Sequence, residues 1–324
     1  MITIKRFVGL AIACGLALST GLASAEEAYP IRPVRLIVGF AAGSTADVGA
    51  RILSRKLGEI MGQSVVVENR PGAGSMISTE YVAHAPKDGY TLLLGTIAAT
   101  INTTLSPRQT VDFSKDLAPI VLVGSIPNIL VVHPSLGVNS VEELIVLAKA
   151  KPDQISYASA GIGSSPHLSG ELFEQMAGVQ MTHVPYPGSA QAVTDLLAGR
   201  VQVMFSPAST VLAFIKQGTL KALASTESKR TSIARDLPTM SEAGLTGFET
   251  SVWFGILAPA GTPQGVVTKV SKAVNEALKD ESVLRLLHAQ GMDALGGTPD
   301  EFSRCIASET AKWAHVIKTA NIKK

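Results

Sequence analysis

Strand-like and helix-like segments alternate almost from end to end of this chain, and the alternation restricts it to an α/β architecture. Residues 34–40 (VRLIVGF) form an apolar run of buried-strand length. A small-residue loop follows, then Val48, Ile52, Leu53, Leu57, Ile60 and Met61 at three-to-four spacing, a helix stopped at Gly62. Strands are predicted over 64–68 and 90–96, with the turn Asn69-Arg70-Pro71-Gly72-Ala73-Gly74 and a helix over 75–85 between them. Strands separated by helices imply a parallel sheet covered on both faces.

A second series follows. Ser140 and Glu143 form a capping box opening a helix to about residue 150. The strands 155–160, 182–186, 201–205 and 220–225 alternate with helices that begin at Ser165-Pro166, Ser189 and Ser209. Thr262-Pro263 and Thr298-Pro299-Asp300-Glu301 open helices in the tail. Two strand-like stretches, 120–132 and 250–258, interrupt the regularity. One series, an inserted second series and a return is the pattern of two lobes joined by two crossovers, and cores usually split beyond ~250–300 residues. The expected division is lobe I over 26–126 plus 250–324 and lobe II over 127–249, in preference to one long doubly wound sheet.

The N-terminus reads as a cleaved export signal. Lys5 and Arg6 precede an apolar stretch over 7–18, too short for a helix to span a hydrocarbon core of roughly 30 Å, and Ala23-Ser24-Ala25 supplies the small-x-small cleavage pattern. The competing reading, a lipoprotein signal acylated at Cys14, leaves a shorter apolar core before the cysteine. The chain carries 28 basic and 26 acidic residues; the leader holds two basic ones and no acid, leaving 26 of each. That balance lacks the basic footprint of a nucleic-acid binder. Beyond the leader Cys305 is the one cysteine, so no intrachain disulfide forms, and its helical setting suggests packing.

Open parallel sheets bind ligands beyond the carboxyl ends of their strands. Four such positions here are rich in small residues: Ala41-Ala42-Gly43-Ser44-Thr45-Ala46-Asp47, Gly161-Ile162-Gly163-Ser164-Ser165-Pro166-His167, Pro187-Gly188-Ser189-Ala190 and Ser206-Pro207-Ala208-Ser209. Small residues let backbone N–H groups approach a ligand, and a helix N-terminus carries about half a positive charge. Ordinary capping explains any one of these loops; four in succession suggest an anion site. Asp47 either binds ligand or favours its helix dipole, and Trp253 and Phe254 suit core or hinge packing. Enzyme signatures are missing. Ile77 and Pro166 stand where GxGxxG needs its third glycine, there is no P-loop or GxSxG, and the six histidines never fall at metal-ligand spacing. No catalytic residue, cofactor or metal is expected. A hydrolase built on His167 and Ser164 or Ser165 is the enzymatic alternative, but hydroxyl caps beside a first-turn histidine are the commoner cause.

Several motifs resemble one family. They are Tyr29-Pro30-x-Arg32-Pro33-Val34-Arg35, Val65-Val66-Val67-Glu68-Asn69-Arg70-Pro71-Gly72-Ala73-Gly74, Ala85-Pro86-Lys87-Asp88-Gly89-Tyr90, His183-Val184-Pro185-Tyr186-x-Gly188-Ser189, Asp236-Leu237-Pro238-Thr239 and Ala258-Pro259-Ala260-Gly261-Thr262-Pro263. Over the whole mature length the chain resembles the substrate-binding proteins of tripartite tricarboxylate transporters, the Bug receptors. The resemblance implies a periplasmic-binding-protein-like Venus flytrap: two doubly wound α/β lobes joined by two crossing strands. It implies a monomer that takes a small carboxylate (a di- or tricarboxylate, acidic amino acid or aromatic acid) on backbone amides and ordered water, and passes it to the transporter's membrane subunits. The alternative is a sensor that presents its closed form to a two-component signalling system.

The resemblance maps the first binding loop to Gly39 through Asp47, with Phe40, Ala42, Ser44, Thr45 and Asp47 near the ligand. It adds Thr96 and Asn102 after the third strand, and Gly163, Ser164, Ser165, His167, Tyr186, Ser189, Ala190 and Ser206 from lobe II. One departure stands out. Where the family's loop reads proline-phenylalanine-x-proline and then a glycine triplet, Gly39 and Ala42 replace the prolines and Ser44 and Thr45 replace two glycines. Any demand for positive φ would disfavour Thr45 most, and the added hydroxyls are candidates to replace bridging waters.

Overall fold

A computed structural model describes residues 29–106 and 110–322. The leader, with Cys14 and the cleavage site, lies outside the described residues. The first series runs β1 (Val34–Val38), α1 (Thr45–Met61), β2 (Val65–Asn69), α2 (Met76–Ala83), β3 (Thr91–Thr96) and α3 (Ile97–Leu105). Then β4 (Leu117–Val132) enters a second series: α4 (Val141–Ala150), β5 (Ser156–Ser159), α5 (Ser165–Ala177), β6 (Thr182–Pro185), α6 (Ser189–Leu197), β7 (Val203–Pro207), α7 (Ala208–Lys216) and β8 (Lys221–Ser225). The return is β9 (Ser251–Pro259), followed by α8 (Gln264–Ala277), α9 (Glu281–Ala289), β10 (Asp293–Ala294) and α10 (Pro299–Thr319). No described helix is long and apolar enough to cross a membrane.

The strands build two sheets that share β4. The first is ordered β2-β1-β3-β9-β4 with β10 on the far edge of β4, and the second is β8-β4-β7-β5-β6. Within each lobe the βα strands pair in parallel (β1 with β2 and β3, β5 with β6 and β7). The sheets are nevertheless mixed, not purely parallel as the alternation alone implies. The crossing strands β4 and β9 run antiparallel to each other and to their neighbours β3, β7 and β8. A strand that carries the chain into the other lobe and one that carries it back must run in opposite senses, so the antiparallel seam follows from the double crossover. Buried Leu93 and Leu94 pack one on each face of β3, which is why that strand reads as unbroken apolar sequence.

Local chemistry sets the helix limits. The Ser44 hydroxyl accepts the Asp47 amide at the start of α1, and Gly62, at φ 70°, ends it. Thr298 and Glu301 form the predicted capping box on α10. At α5 the cap is Ser164 and not Ser165, with Pro166 inside the first turn. The sequence reading missed α3, because its threonines and asparagine blur the period. The long helix α10 packs on α3 and β4 and reaches α5, so it braces both lobes. Its Cys305 is half-buried, and burial pushes the thiol up to about 11, in keeping with a packing role.

The crossing point is closed by backbone pairing. Thr226 N–H donates to the Asn128 carbonyl at 2.9 Å, and Thr250 N–H donates to the Thr226 carbonyl at 2.9 Å. Next to it Glu227 accepts a hydrogen bond from the Ser125 hydroxyl at 3.0 Å. Burial, with the charges of Glu249 and Asp293, raises this carboxyl to about 7 against the opposing effects of the Ser125 hydrogen bond and, more weakly, Lys312. The folded chain therefore holds this proton more tightly than the unfolded chain, and stability falls as pH rises from about 4.5 through 7. Replacing Glu227→Gln keeps a side chain able to pair with Ser125 and removes the charge. Urea unfolding should find this variant more stable than the parent by on the order of 2 kcal/mol above neutrality, with the gain vanishing at acid pH. A constant difference across that range would contradict the assignment.

Candidate functional site

The chain leaves β1 through a loop whose shape depends on two glycines for different reasons. Gly39 lies so close to α2 that a Cβ there would collide with the hydroxyls of Ser75 and Ser78, both buried. Gly43 carries the one positive φ of the loop, 80°. Ser44 is extended at φ −67°, and Thr45 is the first residue of α1. The serine and threonine that replace glycines thus occupy backbone that any residue adopts, and the expected conflict at Thr45 does not arise.

Asp47 fastens this loop. It is buried, and its two oxygens accept Gly43 N–H at 2.9 Å, Asn69 Nδ2 at 2.8 Å and Arg51 Nε at 3.0 Å. Asn69 Nδ2 also donates to the Phe40 carbonyl at 3.0 Å. The Arg51 guanidinium, helped by the Gly43 and Asn69 donors, holds the carboxyl down at about 2 against the effect of burial. With both oxygens engaged, Asp47 acts on the scaffold of the loop.

Two more helices begin beside it. Thr96 ends β3 and caps α3, accepting Ala98 N–H at 3.3 Å. In the other lobe Ser164 caps α5, and its hydroxyl donates to the Gly161 carbonyl at 2.6 Å. Between the lobes lies a cavity of about 260 Å³ lined by Phe40, Ser44, Thr45, Ala46, Thr96, Ile97, Ala98, Ile101, Gly163, Ser164, Ser165, Pro166, Val252 and Phe254. The N-termini of α1, α3 and α5 all open into it, and among the described residues no charged side chain lines it. The amides of Thr45, Ala46 and Ser165 have no acceptor among the described residues. Free N–H groups at converging positive dipole ends favour an anion, and the apolar walls favour a carbon skeleton behind it. The lobes nearly touch across the cavity: a Cβ on Gly163, where φ is 78°, would sit 2.6 Å from Leu105 Cδ1.

Of the residues expected from sequence, Phe40, Ser44, Thr45, Thr96, Gly163, Ser164 and Ser165 meet in this cavity. The others take other places. Ala42 is exposed on the loop, and Asn102 points to the far side of α3, donating to the Gly74 carbonyl at 2.8 Å. Tyr186 donates its hydroxyl to Asp195 at 2.9 Å, and Ser206 pairs with Thr210 at 2.6 Å. Ser189 and Ala190 start α6 away from the lining. Phe254, read from sequence with Trp253 as a packing residue, is part of the wall, as are Val252, Ala46, Ile97, Ala98, Ile101 and Pro166. Strand alternation carried the signal for β9: Val252 and Phe254 share one face, and Trp253 on the other packs edge-on against Phe302 at 5.5 Å.

His167 supports α5 from beneath. Its Nδ1 accepts Gly163 N–H at 3.1 Å and its Nε2 faces Glu171 at 3.3 Å, so neither ring nitrogen engages a serine. The ring stacks on His183 at 4.0 Å, which stacks in turn on Tyr157. Burial first, then the neighbouring His167, push His183 down to about 4, so it is neutral at physiological pH. This stack gives the His183-Val184-Pro185-Tyr186 motif a structural task, and the nucleophile-base pair required by the hydrolase alternative is not formed.

Comparison with known proteins places this geometry in context. Residues 49–322 match the family model described as the tripartite tricarboxylate transporter family receptor. The chain is 38% identical to Protein BugT of Bordetella pertussis over 92% of each chain. Its fold is similar to that of a Rhodopseudomonas palustris protein solved with adipate, at 38% identity and a TM-score of 0.79, covering 91% of this chain and 99% of that one. It is also similar to MatC from the same organism with bound malate, at 30% identity and a TM-score of 0.74, covering 89% and 100%.

The Asp47 network generates a stability test. Asp47→Asn keeps the size but replaces one acceptor with a donor facing Gly43 N–H or Arg51. Urea unfolding at neutral pH should show a loss of about 1–3 kcal/mol. Because the folded pKa is depressed, this contribution is present above about 3.8 and fades as pH falls towards 2. The gap between parent and variant should narrow over that range; a gap independent of pH would show that the charge is not what matters.

Proposed function

Because this chain belongs to the family of tripartite tricarboxylate transporter receptors, we propose that it captures a small carboxylate in the cavity between its lobes and delivers it to the membrane subunits of such a transporter. Export to the periplasm, for which the leader-like N-terminus speaks, puts the receptor on the side from which solute arrives. The two lobes, divided at 126/127 and 249/250, close on the ligand by bending at the crossing strands. The observation that carries this reading is the meeting of three helix N-termini on a cavity with apolar walls and, among the described residues, no charged side chain. Similar proteins solved with adipate and malate support the ligand class.

Capture of this kind needs no lysine or arginine. Fixed amide dipoles and hydroxyls in a cavity with apolar walls hold a carboxylate through charge-assisted hydrogen bonds, which are stronger beside low-dielectric protein than in bulk water. Phe40, Ile97, Ile101, Val252 and Phe254 leave the middle of the ligand in contact with hydrocarbon, which favours a compact acid of few polar groups between its ends.

The test is a thermal-shift and calorimetry panel of aliphatic dicarboxylates, hydroxylated di- and tricarboxylates, acidic amino acids and aromatic acids. A ligand that binds only the folded state raises the melting temperature by mass action. At least one carboxylate should bind with one-to-one stoichiometry, and its uncharged amide should bind about tenfold or more weakly. Equal binding of acid and amide, or no stabilisation by any member of the panel, would overturn the reading.

A further inference from the structure

Asn128 lies where β4 passes from the first sheet into the second, fully buried and away from the cavity lining. Its side chain reaches the cavity through one residue only. Nδ2 donates to Ser165 Oγ at 2.6 Å and to Ser169 Oγ at 3.2 Å. We propose that Asn128 is a positioning residue for ligand capture: by donating to Ser165, it leaves the Ser165 hydroxyl proton free for a ligand carboxylate.

The argument is one of hydrogen-bond inventory. A serine hydroxyl has one proton and accepts through its lone pairs. With the Asn128 amide occupying the oxygen of Ser165, the proton needs another acceptor, and none is found among the described residues. Ser165 lines the cavity and begins α5, so a carboxylate oxygen held by the Ser165 amide lies within reach of the same residue's hydroxyl. The orientation of the amide has a visible cost, since Asn128 Oδ1 is buried without a partner. Turning the amide over would satisfy that oxygen from the two serine hydroxyls, but would orphan the NH2 group and draw the Ser165 proton away from the cavity. Of the two, an under-satisfied carbonyl is the more readily tolerated.

The same residue is tied to both crossing strands. Asn128 N–H donates to Thr226 Oγ1 at 3.1 Å, Thr226 Oγ1 reaches the carbonyls of Asn128 and Thr250, and Ser169 pairs with the Thr250 hydroxyl at 2.7 Å. The donor state of Ser165 is thereby fixed by the segment about which the lobes would bend. This links hinge geometry to the affinity of the site.

This inference rests on the carboxylate reading above, and a double-mutant cycle separates the two. Binding of adipate and of malate is measured by calorimetry for the parent, Asn128→Asp, Ser165→Ala and the double variant, with urea unfolding as the check on folding. Aspartate offers only acceptors, so it captures the Ser165 proton. Each single change should weaken binding of the carboxylate that the parent binds by about tenfold or more, and the double variant should be no weaker than the weaker single. Losses that multiply would mean that residue 128 acts on the fold and not through Ser165. Full affinity in Asn128→Asp would also overturn the proposal. Should Asn128→Asp not fold, Asn128→Ala takes its place in the cycle, with the same non-multiplying result expected and multiplying losses again decisive against the proposal. A parent that binds no carboxylate at all overturns the carboxylate reading and this inference with it.

Discussion

The antiparallel pairing of β9 with β4 is the interaction on which the other features depend. Residues 117–127 of β4 pair with β9 inside the first sheet, and residues 128–132 lie between β7 and β8 in the second. One strand therefore belongs to both sheets, and the return strand lies beside it up to the point of crossing. The carboxyl ends of β1 and β3 on one side, and of β5 on the other, open towards this seam, where Val252 and Phe254 complete the wall. The crossing itself is narrow: Asn128, Thr226 and Thr250 satisfy one another's backbone groups and are fully buried. Apolar packing continues past the crossing, since both buried clusters and α10 draw on residues of the two lobes.

The described lining of the cavity presents helix N-termini and hydroxyls and no charged side chain. Amides and hydroxyls at the N-termini of α1, α3 and α5 present partial positive charge whose position is set by backbone and by caps, so no long side chain has to be ordered when a ligand arrives. The charged residues nearby serve as scaffold. Arg51 and Asp47 hold the first loop, and Glu171 orients His167 under the start of α5.

Much of the fold was legible in the sequence because strands of buried α/β sheets are apolar on both faces and helices announce their caps. The loops after β1 and β5 were legible for the same reason: runs such as Gly43-Ser44-Thr45 and Gly163-Ser164-Ser165 leave little doubt that a helix starts there. What sequence could not tell is which helix starts share a cavity. The loops before α6 and α7 have a similar small-residue composition, yet Ser189 and Ser206 are not in the cavity lining, since composition encodes a turn and not its position relative to the crossing strands. The start of α3 was hidden by its Thr-rich sequence, and the direction of Asn102, towards the Gly74 carbonyl, is not something that family resemblance supplies with a position. Asp47 showed the same limit. Its place in the first turn was plain, but only the coordinates of Gly43, Arg51 and Asn69 reveal that its oxygens are fully engaged. At Gly39 the reason for glycine lies in Ser75 and Ser78, about forty residues away in sequence, where no local rule looks.

The central claim is that backbone amides at helix N-termini, and not a basic side chain, hold the ligand's anion. A high-resolution crystal structure with a bound carboxylate tests it directly. The account predicts carboxylate oxygens at about 2.7–3.2 Å from the amides of Thr45 and Ala46 or of Ser165, inside the cavity between the lobes. A ligand bound outside that cavity, or one whose carboxylate rests on a lysine or arginine side chain, would contradict it.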